Sequence, residues 1–255
     1  MEINKLNAVE IEINSACNKS CSYCPNSVGQ RIEKGHMEPG LYRKIVSQLK
    51  DINFNGRISY DFYNEPLLSP NLITFTELTK KQLPDVEIHL YSNGSLLDKD
   101  KFRRLSQAGI TRFIITKHED HFTEARPYLF DQTIKELSDS ELLSVSYRGF
   151  QDLKLTNRGG SLEHIKSEIE DIQNYPCFIP TFMMTITVNG TVLPCFEDFY
   201  QKMAMGNIKD EHIRDIWNRP DYIRFRKMLM LGQRGAYDMC KNCTRTQVMP
   251  DGKSA

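Results

Sequence analysis

Three cysteines, Cys17, Cys21 and Cys24, form a CxxxCxxC pattern early in the sequence. Thiolates at such short spacing are soft ligands that favour an iron–sulfur cluster or a zinc ion. A structural zinc ion normally completes its tetrahedral shell with a fourth Cys or His nearby, and the closest candidate, His36, fits no zinc spacing. The triplet therefore predicts an iron–sulfur cluster in which one iron stays open to another ligand.

Four further cysteines, Cys177, Cys195, Cys240 and Cys243, lie late in the sequence. In a reducing compartment such an inventory indicates metal ligation rather than disulfides. Four thiolates match the number that saturates a second cluster, with the CxxC pair forming one corner. A saturated cluster has no vacancy for substrate, so electron transfer or a structural role is expected. A four-cysteine zinc site is the alternative that the spacing leaves open.

Composition limits the classes of function. The chain has 255 residues, and its 33 basic and 33 acidic residues give a formal net charge of zero. This balance offers no electrostatic footprint for nucleic acid or for an anionic membrane surface. The sequence contains no run of about eighteen apolar residues and no signal-peptide pattern. A cytoplasmic protein with a small-molecule substrate is expected.

Alternating strand and helix patterns surround the first cysteine loop and must position it. The predicted strands cover residues 8–14, 56–63, 86–91, 111–116 and 142–147, and the predicted helices begin near residues 38, 70, 98 and 133. Repeated βα units predict a parallel sheet with right-handed crossovers, and therefore an α/β fold built as a partial (β/α) barrel. Active groups gather where such strands end.

The first predicted strand carries Glu10 and Glu12 on its polar face. In a partial barrel that face points into the lumen, which makes both carboxylates candidates for contact with a polar substrate. A half-solvated edge strand would show the same alternation, so the pattern leaves that alternative open.

The pattern changes after residue 150. The predicted elements are a glycine-rich turn at 157–160, a helix over 161–172, a strand over 181–188, an Asn189-Gly190 hairpin turn, and helices over 212–217 and 221–231. The sequence therefore predicts two domains. Residues 1–150 form the barrel with the first cluster, and residues 151–255 form a smaller domain with the four late cysteines.

The triplet, with Tyr23 directly before its last cysteine, resembles the signature of the radical SAM superfamily. The four late cysteines resemble the C-terminal auxiliary-cluster domains of its SPASM and twitch members. Within that group, nearly the whole chain is similar to dehydrogenases that act on aminocyclitols. The segments that carry this similarity are residues 21–28, 62–68, 157–160 and 192–199.

The resemblance implies two 4Fe–4S clusters, one of which binds S-adenosylmethionine (SAM) through its open iron. It implies that a flavodoxin or ferredoxin supplies an electron, and that a radical derived from SAM removes hydrogen from a carbinol carbon. The auxiliary cluster then accepts an electron, which leaves a ketone on an aminocyclitol such as 2-deoxy-scyllo-inosamine. Such a reaction belongs to aminoglycoside antibiotic biosynthesis, with SAM consumed as the oxidant.

The same resemblance gives roles to individual residues. It implies SAM contacts by Tyr23, Glu65, Asn93 and Lys117, and substrate contacts by Tyr63, Tyr91, Arg158 and Phe196. Together with the strand pattern, it makes Arg158, Glu10 and Glu12 the candidates for handling the hydroxyl proton. Tyr63 and Phe196 would equally suit an ordinary core, and that alternative stays open.

Asn64 departs from the family pattern, which has glycine before the glutamate. Asparagine tolerates positive φ better than most residues, so we expect Asn64 to keep the turn in that conformation. Four histidines show no ligand spacing and are expected at the surface: His118, His121, His164 and His212.

Three other functions compete with the dehydrogenase. A sugar epimerase shares the radical step but needs a free thiol to return hydrogen, and the seven cysteines divide into three and four with none left over. A peptide-modifying SPASM enzyme usually bears a leader-binding domain or further cysteines, and neither is seen. A non-catalytic iron–sulfur or zinc scaffold would not need both the triplet and the segment 64–66.

Overall fold

The computed structural model describes residues 5–118, 128–167 and 169–246. Eight strands form one sheet: β1 (Ala8–Ile11), β2 (Arg57–Ser59), β3 (Glu87–Ser92), β4 (Arg112–Lys117), β5 (Val145–Gly149), β6 (Met183–Ile186), β7 (Thr191–Leu193) and β8 (Gly206–Asn207). Their order across the sheet is β5-β4-β3-β2-β1-β6-β7-β8. The sheet is mixed and not closed in the described part of the chain, which confirms the predicted α/β fold with a partial barrel.

Ten helices accompany the sheet in the described residues. They are α1 (Pro25–Val28), α2 (Pro39–Asp51), α3 (Leu72–Gln82), α4 (Lys99–Ala108), α5 (Leu129–Thr133), α6 (Asp139–Leu142), α7 (Ile179–Phe182), α8 (Ile213–Trp217), α9 (Pro220–Met230) and α10 (Asp238–Lys241). Single turns of 3₁₀ helix lie at Pro66–Leu68, Ile134–Glu136, Phe150–Asp152, Ile172–Asn174 and Arg234–Ala236. Among the described residues, no helix is both long and apolar enough to span a bilayer.

The first five strands are parallel neighbours joined by helical crossovers. β1 lies between β2 and β6, and it runs parallel to both. Every residue of β1 is buried, including Glu10. The alternative of a half-solvated edge strand is therefore wrong, since β1 has strand partners on both sides.

Local sequence explains where the longer helices begin and end. α2 starts at Pro39, whose missing N–H is tolerated in the first turn, and it buries Leu41, Ile45 and Leu49 against the sheet. α4 is capped by Asp98, whose side chain accepts a 2.7 Å hydrogen bond from the Lys101 amide. The helix ends at Gly109 with φ of 120°, a conformation that favours glycine.

The predicted helix over residues 161–172 does not form. The Gly160 and Leu162 amides donate to the Asn157 carbonyl, and the Ser161 hydroxyl donates to the Arg158 carbonyl instead of capping a helix. Because Gly159 and Gly160 both adopt positive φ, the chain turns tightly here. Residues 161–167 and 169–171, the described part before the 3₁₀ turn at Ile172–Asn174, form no regular element.

The predicted hairpin is confirmed, and it extends the main sheet. Gly190, with φ of 88°, closes the turn between antiparallel β6 and β7. β6 is shorter than predicted because residues 179–182 form α7. Since β6 pairs with β1, the segment that leads to Cys195 is hydrogen-bonded to the centre of the same sheet.

Candidate active site

A polar cavity of about 400 Å³ lies toward the carboxyl ends of the parallel strands. Eight residues singled out in the sequence line this cavity: Glu10, Cys17, Tyr23, Glu65, Tyr91, Asn93, Arg158 and Phe196. They come from β1, from β3, from the loops after β1, β2 and β3, and from the two segments after residue 150. The fold therefore brings together residues that are far apart in the sequence.

The first cysteine loop follows β1 directly and is tied to the loop after β2. The Glu65 amide donates a 2.8 Å hydrogen bond to the Ala16 carbonyl, and the Asn14 side chain donates to the Glu65 carbonyl at 3.1 Å. Within the loop, the Cys24 amide donates to the Cys21 carbonyl at 3.0 Å. Cys17 is exposed at the cavity edge, while Cys21 is buried.

The Glu65 carboxylate is held rigidly at the cavity. Its oxygens accept hydrogen bonds from the Leu67 amide at 3.0 Å, the Ser92 hydroxyl at 2.8 Å and the Asn93 amide at 2.8 Å. Burial raises the pKa of Glu65 to about 7, and these bonds limit the rise. A fixed buried carboxylate of this kind is suited to binding a cationic group.

Asn93 and Tyr23 connect the cysteine loop to neighbouring elements. The Asn93 side chain donates to Asn18 Oδ1 at 2.8 Å and lies 4.0 Å from Cys17 Sγ. The Tyr23 ring packs 5.1 Å from Phe150, and its hydroxyl is hydrogen-bonded to His118 Nδ1. The surface prediction for His118 is wrong, because this bond draws the imidazole into the cavity wall. His121, to which the same prediction applies, lies outside the described residues.

Asn64 holds its turn through side-chain hydrogen bonds and not through a positive φ angle. The described non-glycine residues with positive φ are Asn53, Arg158 and Gln201, so the prediction of positive φ at Asn64 is wrong. Its side chain instead accepts a 2.9 Å bond from the Phe62 amide and donates to Asn14 Oδ1 at 3.1 Å. These side-chain bonds brace the loop, so glycine is not required there.

Glu10 is a buried carboxyl that also lines the cavity. Burial and the nearby Asp61 carboxylate raise the pKa of Glu10 well above its usual value. The Thr185 hydroxyl donates to Glu10 Oε2 at 2.9 Å. Arg158, with φ of 49°, and Phe196 line the same cavity.

Three predicted residues do not line the cavity. Glu12 is fully buried, forms an ion pair with Arg31 and accepts from the Val188 amide at 3.1 Å. Tyr63 packs edge-on to Phe199 at 5.0 Å, with the Arg158 guanidinium 5.8 Å from its ring. Lys117 forms an ion pair with Asp131. Each has been drawn into a contact outside the cavity, so its site role stays a prediction.

Cys177, Cys195, Cys240 and Cys243 line one small second cavity together. Burial, with Glu197 and the neighbouring thiols adding to it, raises the pKa of Cys243 to about 12, and burial raises that of Cys195 as well. These thiols become thiolates only when a cation draws off their protons, as cluster iron does. Among the described residues no group of His, Cys, Asp or Glu side chains is arranged for a single metal ion. Four thiols around a shared space, three buried and one half-buried, fit a cluster.

The two cavities share a wall, since Ile179 and Arg245 line both of them. Glu197 lies in this wall, and its carboxylate accepts from Arg245 Nε at 2.5 Å. Although burial works in the opposite direction, the guanidinium groups of Arg245 and Arg158 lower the pKa of Glu197. The wall between the cavities therefore carries ionised groups.

Several residues at the site were missed by sequence reasoning. Arg57, Asp61, His118, Arg148 and Arg245 line the larger cavity, and Glu197 lines the smaller one. Glu197 lies in the segment 192–199, and Arg245 follows Cys243 by two positions, so closeness to cysteine ligands was the available signal. The other positions gave no pattern distinct from an ordinary charged surface.

Two family models match separate parts of the chain. The radical SAM superfamily model matches residues 11–118, and the model of SPASM, an iron–sulfur cluster-binding domain, matches residues 177–244. The first range contains the triplet with Glu65 and Asn93, and the second contains all four late cysteines. The division of the cysteines in the sequence thus coincides with two matched domains.

The chain is also similar along most of its length to the S-adenosyl-L-methionine-dependent 2-deoxy-scyllo-inosamine dehydrogenase of Niallia circulans. The two are 42% identical over 243 residues, which cover 95% of this chain and 94% of the dehydrogenase. The crystal structure of BtrN in complex with AdoMet and 2-DOIA matches with a TM-score of 0.89 and 42% identity, covering 95% of this chain and 94% of BtrN.

More distant structures share the fold alone. SuiB of Streptococcus suis, bound to the precursor peptide SuiA, matches with a TM-score of 0.61 at 14% identity, covering 93% of this chain and 71% of SuiB. This level of identity carries no information about the substrate. The match therefore shows a shared arrangement of strands and helices.

Proposed function

Because this chain belongs to the radical SAM family of the 2-deoxy-scyllo-inosamine dehydrogenase, we propose that it oxidises a secondary alcohol of an aminocyclitol to a ketone. It would do so in aminoglycoside antibiotic biosynthesis, with SAM as the oxidant. The observation that carries this proposal is the shared wall. A polar cavity lined by Cys17, Glu65 and Arg158 adjoins the cavity of four cysteines.

The residues fit two cofactor sites. Cys17, Cys21 and Cys24 would hold one 4Fe–4S cluster, and the four late cysteines would hold the other. When bound, the first cluster and SAM supply a hydrogen-abstracting radical, and the second cluster supplies an electron acceptor. The protein's part is to bind, orient and exclude water around the reacting carbon.

For SAM, we propose that the Glu65 carboxylate binds the ammonium group through a charge-assisted hydrogen bond. Its own three hydrogen bonds prevent it from turning away. Tyr23 offers an aromatic face for the adenine, and Asn93 lies beside Cys17 where it can orient the ribose. Lys117, which is paired with Asp131 and does not line the cavity, would act on the SAM site indirectly.

For the substrate, we propose that Arg158 binds the reacting hydroxyl as a hydrogen-bond donor, with Tyr91 and Phe196 against the ring. Although burial opposes it, Glu197 raises the pKa of Arg158, so the guanidinium stays charged and cannot accept the proton. It can stabilise negative charge that develops on the oxygen. Glu10, a buried carboxyl with a raised pKa, is the better proton acceptor.

Tyr63 and Glu12, which do not line the cavity, are given indirect roles. Tyr63 would support Arg158 from behind the cavity, and Glu12 would act only through its pair with Arg31.

The proposed functional division is between residues 1–150 and residues 151–255, because all four late cysteines lie in the second range. One auxiliary cluster with four cysteines corresponds to the twitch type.

We also propose a flavodoxin or ferredoxin as the electron donor. Cys17 is exposed at the loop surface, which gives a small redox protein access to the first cluster. A cytoplasmic location agrees with seven free cysteines, because thiols persist in that reducing compartment.

The test is an anaerobic assay of the reconstituted protein with SAM, an electron donor and 2-deoxy-scyllo-inosamine. We expect the corresponding ketone as the product. Arg158→Lys should keep the iron content and reduce turnover, because a point charge cannot reproduce a planar fork of donors. Arg103→Lys, on an exposed pair with Glu141, is the matched control and should behave as wild type. Unchanged kinetics in Arg158→Lys would remove Arg158 from the substrate site.

A further inference from the structure

Glu197 is a buried carboxyl group in the wall between the two cavities. Its side chain is 1% exposed, and both carboxylate oxygens lie 3.1 Å from the Thr156 hydroxyl. Oε1 lies 2.5 Å from Arg245 Nε and 3.9 Å from Arg158 Nη1. A carboxylate this deeply buried costs free energy unless it is paired, and here it is paired with two guanidinium groups.

The two arginines are placed differently with respect to the cavities. Arg158 lines the large cavity only, whereas Arg245 lines both and stacks 4.6 Å from the Phe196 ring. Glu197 itself lines the small cavity. One carboxylate thus links the arginine proposed to bind substrate to the space surrounded by the four cysteines.

The backbone at Arg158 needs an anchor. Arg158 has φ of 49°, in the left-handed region that costs a non-glycine residue free energy. The following Gly159, with φ of 59°, lies so close to this wall that a Cβ there would come within 2.8 Å of the Glu197 carbonyl oxygen. The loop 156–159 is therefore pressed against Glu197, and the Thr156 and Arg158 contacts hold it in place.

The chain also couples this wall to a cysteine ligand. Cys195, Phe196 and Glu197 are consecutive, and the Glu197 amide donates to Cys195 Sγ at 3.4 Å. The residue whose carboxylate faces Arg158 therefore lies two positions from a cysteine of the second cavity and contacts its sulfur through the backbone.

We propose that Glu197 is a positioning residue, whose buried carboxylate holds the Arg158 guanidinium in the orientation that binds the aminocyclitol beside the four-cysteine cavity. This inference rests on the proposed function and adds to it the group through which Arg158 is oriented. Glu197 acts through Arg158, so its removal should have no effect where Arg158 has already been changed.

The test is a double-mutant cycle with Glu197→Gln, Arg158→Lys and the double variant. Equilibrium binding of 2-deoxy-scyllo-inosamine to the reconstituted protein with SAM is the main readout. Glu197→Gln keeps the shape and removes the charge, so binding should weaken about tenfold, as is common for groups that orient a functional residue. Iron content and substrate-free SAM cleavage should match wild type. The double variant should bind no more weakly than Arg158→Lys.

Two further variants complete the test. Thr156→Val removes only the hydroxyl on the carboxylate, and it should weaken binding in the same direction but less, which keeps the test informative if Glu197→Gln is insoluble. Glu211→Gln breaks another carboxylate–arginine pair, with Arg219, in the same half of the chain and away from both cavities. It should leave binding unchanged.

The outcomes separate the two proposals. A wild-type protein that does not bind the aminocyclitol would overturn the proposed function and this inference together. Wild-type binding with unchanged affinity in Glu197→Gln and Thr156→Val, or losses that multiply in the double variant, would overturn the inference alone. Loss of auxiliary iron in Glu197→Gln would also overturn it, because the carboxylate would then serve the cluster site.

Discussion

The two cysteine sites are built in opposite ways. Cys17, Cys21 and Cys24 come from one short loop after β1, and Cys17 is exposed. The four late cysteines come from separate segments around α7, β7 and α10, and three of them are buried. A loop that supplies three ligands leaves a face of the cluster accessible, whereas four converging segments enclose it. The first construction suits a site that binds a molecule, and the second suits one that stores an electron.

The two sites also differ in one buried carboxylate. Near the first site, Glu65 presents a buried carboxylate to a cavity that arginines line as well. Around the second site lie two arginines, Arg234 and Arg245, with Glu197 paired to Arg245. A carboxylate attracts a cationic ligand, while arginines favour the more negative, reduced state of a cluster. The exposed loop beside Glu65 and the enclosed cavity beside the two arginines therefore suit different steps.

The largest expected effect comes from removing the loop site. Replacing Cys17, Cys21 and Cys24 together by alanine should abolish SAM cleavage, because no open iron remains to bind SAM. The anaerobically reconstituted protein should still hold about four irons per chain, the content of one 4Fe–4S cluster. Iron analysis and a 5′-deoxyadenosine assay check both parts. Iron near zero would show that the late cysteines do not hold an independent cluster.

Removing the enclosed site should have a different result. With Cys240 and Cys243 replaced by alanine, 5′-deoxyadenosine should still form on addition of SAM, whereas ketone should not, since the electron acceptor is lost. The ratio of the two products, measured by chromatography, is the readout. A wild-type ratio in this variant would contradict the electron-acceptor role of the second site.

A smaller effect is expected from the carboxylate beside the loop site. Glu65→Gln should weaken SAM binding by about 2 kcal/mol, which is about thirtyfold, because a charge-assisted bond becomes a neutral one. Equilibrium dialysis with the reconstituted protein measures this. Unchanged affinity would move the role to another carboxylate, such as Asp61.

The pH dependence of the same measurement supplies the control. Since burial raises the pKa of Glu65 to about 7, the free carboxyl is mostly protonated below that pH and must lose its proton to bind an ammonium group. SAM should therefore bind about tenfold more weakly at pH 6 than at pH 8 in the wild-type protein. Glu65→Gln should remove this dependence.

The smallest expected effect is a difference in iron release between variants of two buried arginines, Arg234 and Arg226. Arg234 lines the four-cysteine cavity and donates to the Pro176, Cys243 and Arg245 carbonyls at 2.9 to 3.1 Å. Arg226 is equally buried but stacks 4.1 Å from Trp217, away from both cavities. In the background that lacks the loop cysteines, Arg234→Met should release iron to a chelator about tenfold faster, and Arg226→Met should not. Equal rates would show that Arg234 does not stabilise the enclosed site.

The course of the first five strands and their crossover helices could be predicted from sequence, because strand alternation and helix spacing are local signals. The glycine-rich segment after residue 156 could not. Ser161 suggested a helix cap, yet consecutive positive φ angles at Gly159 and Gly160 turned the chain back toward Glu197. Such packing depends on residues nearly forty positions away, which no local pattern reports.

The site residues that could be predicted are those that belong to a sequence pattern with a fixed spacing. The cysteines and Glu65 belong to such patterns, whereas Glu12 and His118 do not. Glu12 shares its strand face with Glu10, yet Arg31 from the segment after α1 reaches it and holds it outside the cavity. His118 enters the site only because Tyr23 accompanies the cysteine loop to the end of β4. Both outcomes are set by tertiary contacts between separate loops.

The most direct test of the central claim follows one hydrogen from 2-deoxy-scyllo-inosamine that carries deuterium on the carbinol carbon. If the enclosed cluster accepts the second electron, the deuterium should appear in 5′-deoxyadenosine, and ketone and 5′-deoxyadenosine should form in equal amounts. In deuterated solvent, with unlabelled substrate, no deuterium should become fixed at the reacting carbon. Recovery of an inverted alcohol that carries solvent hydrogen would contradict the account, because the radical would then be quenched by a donor instead of being oxidised.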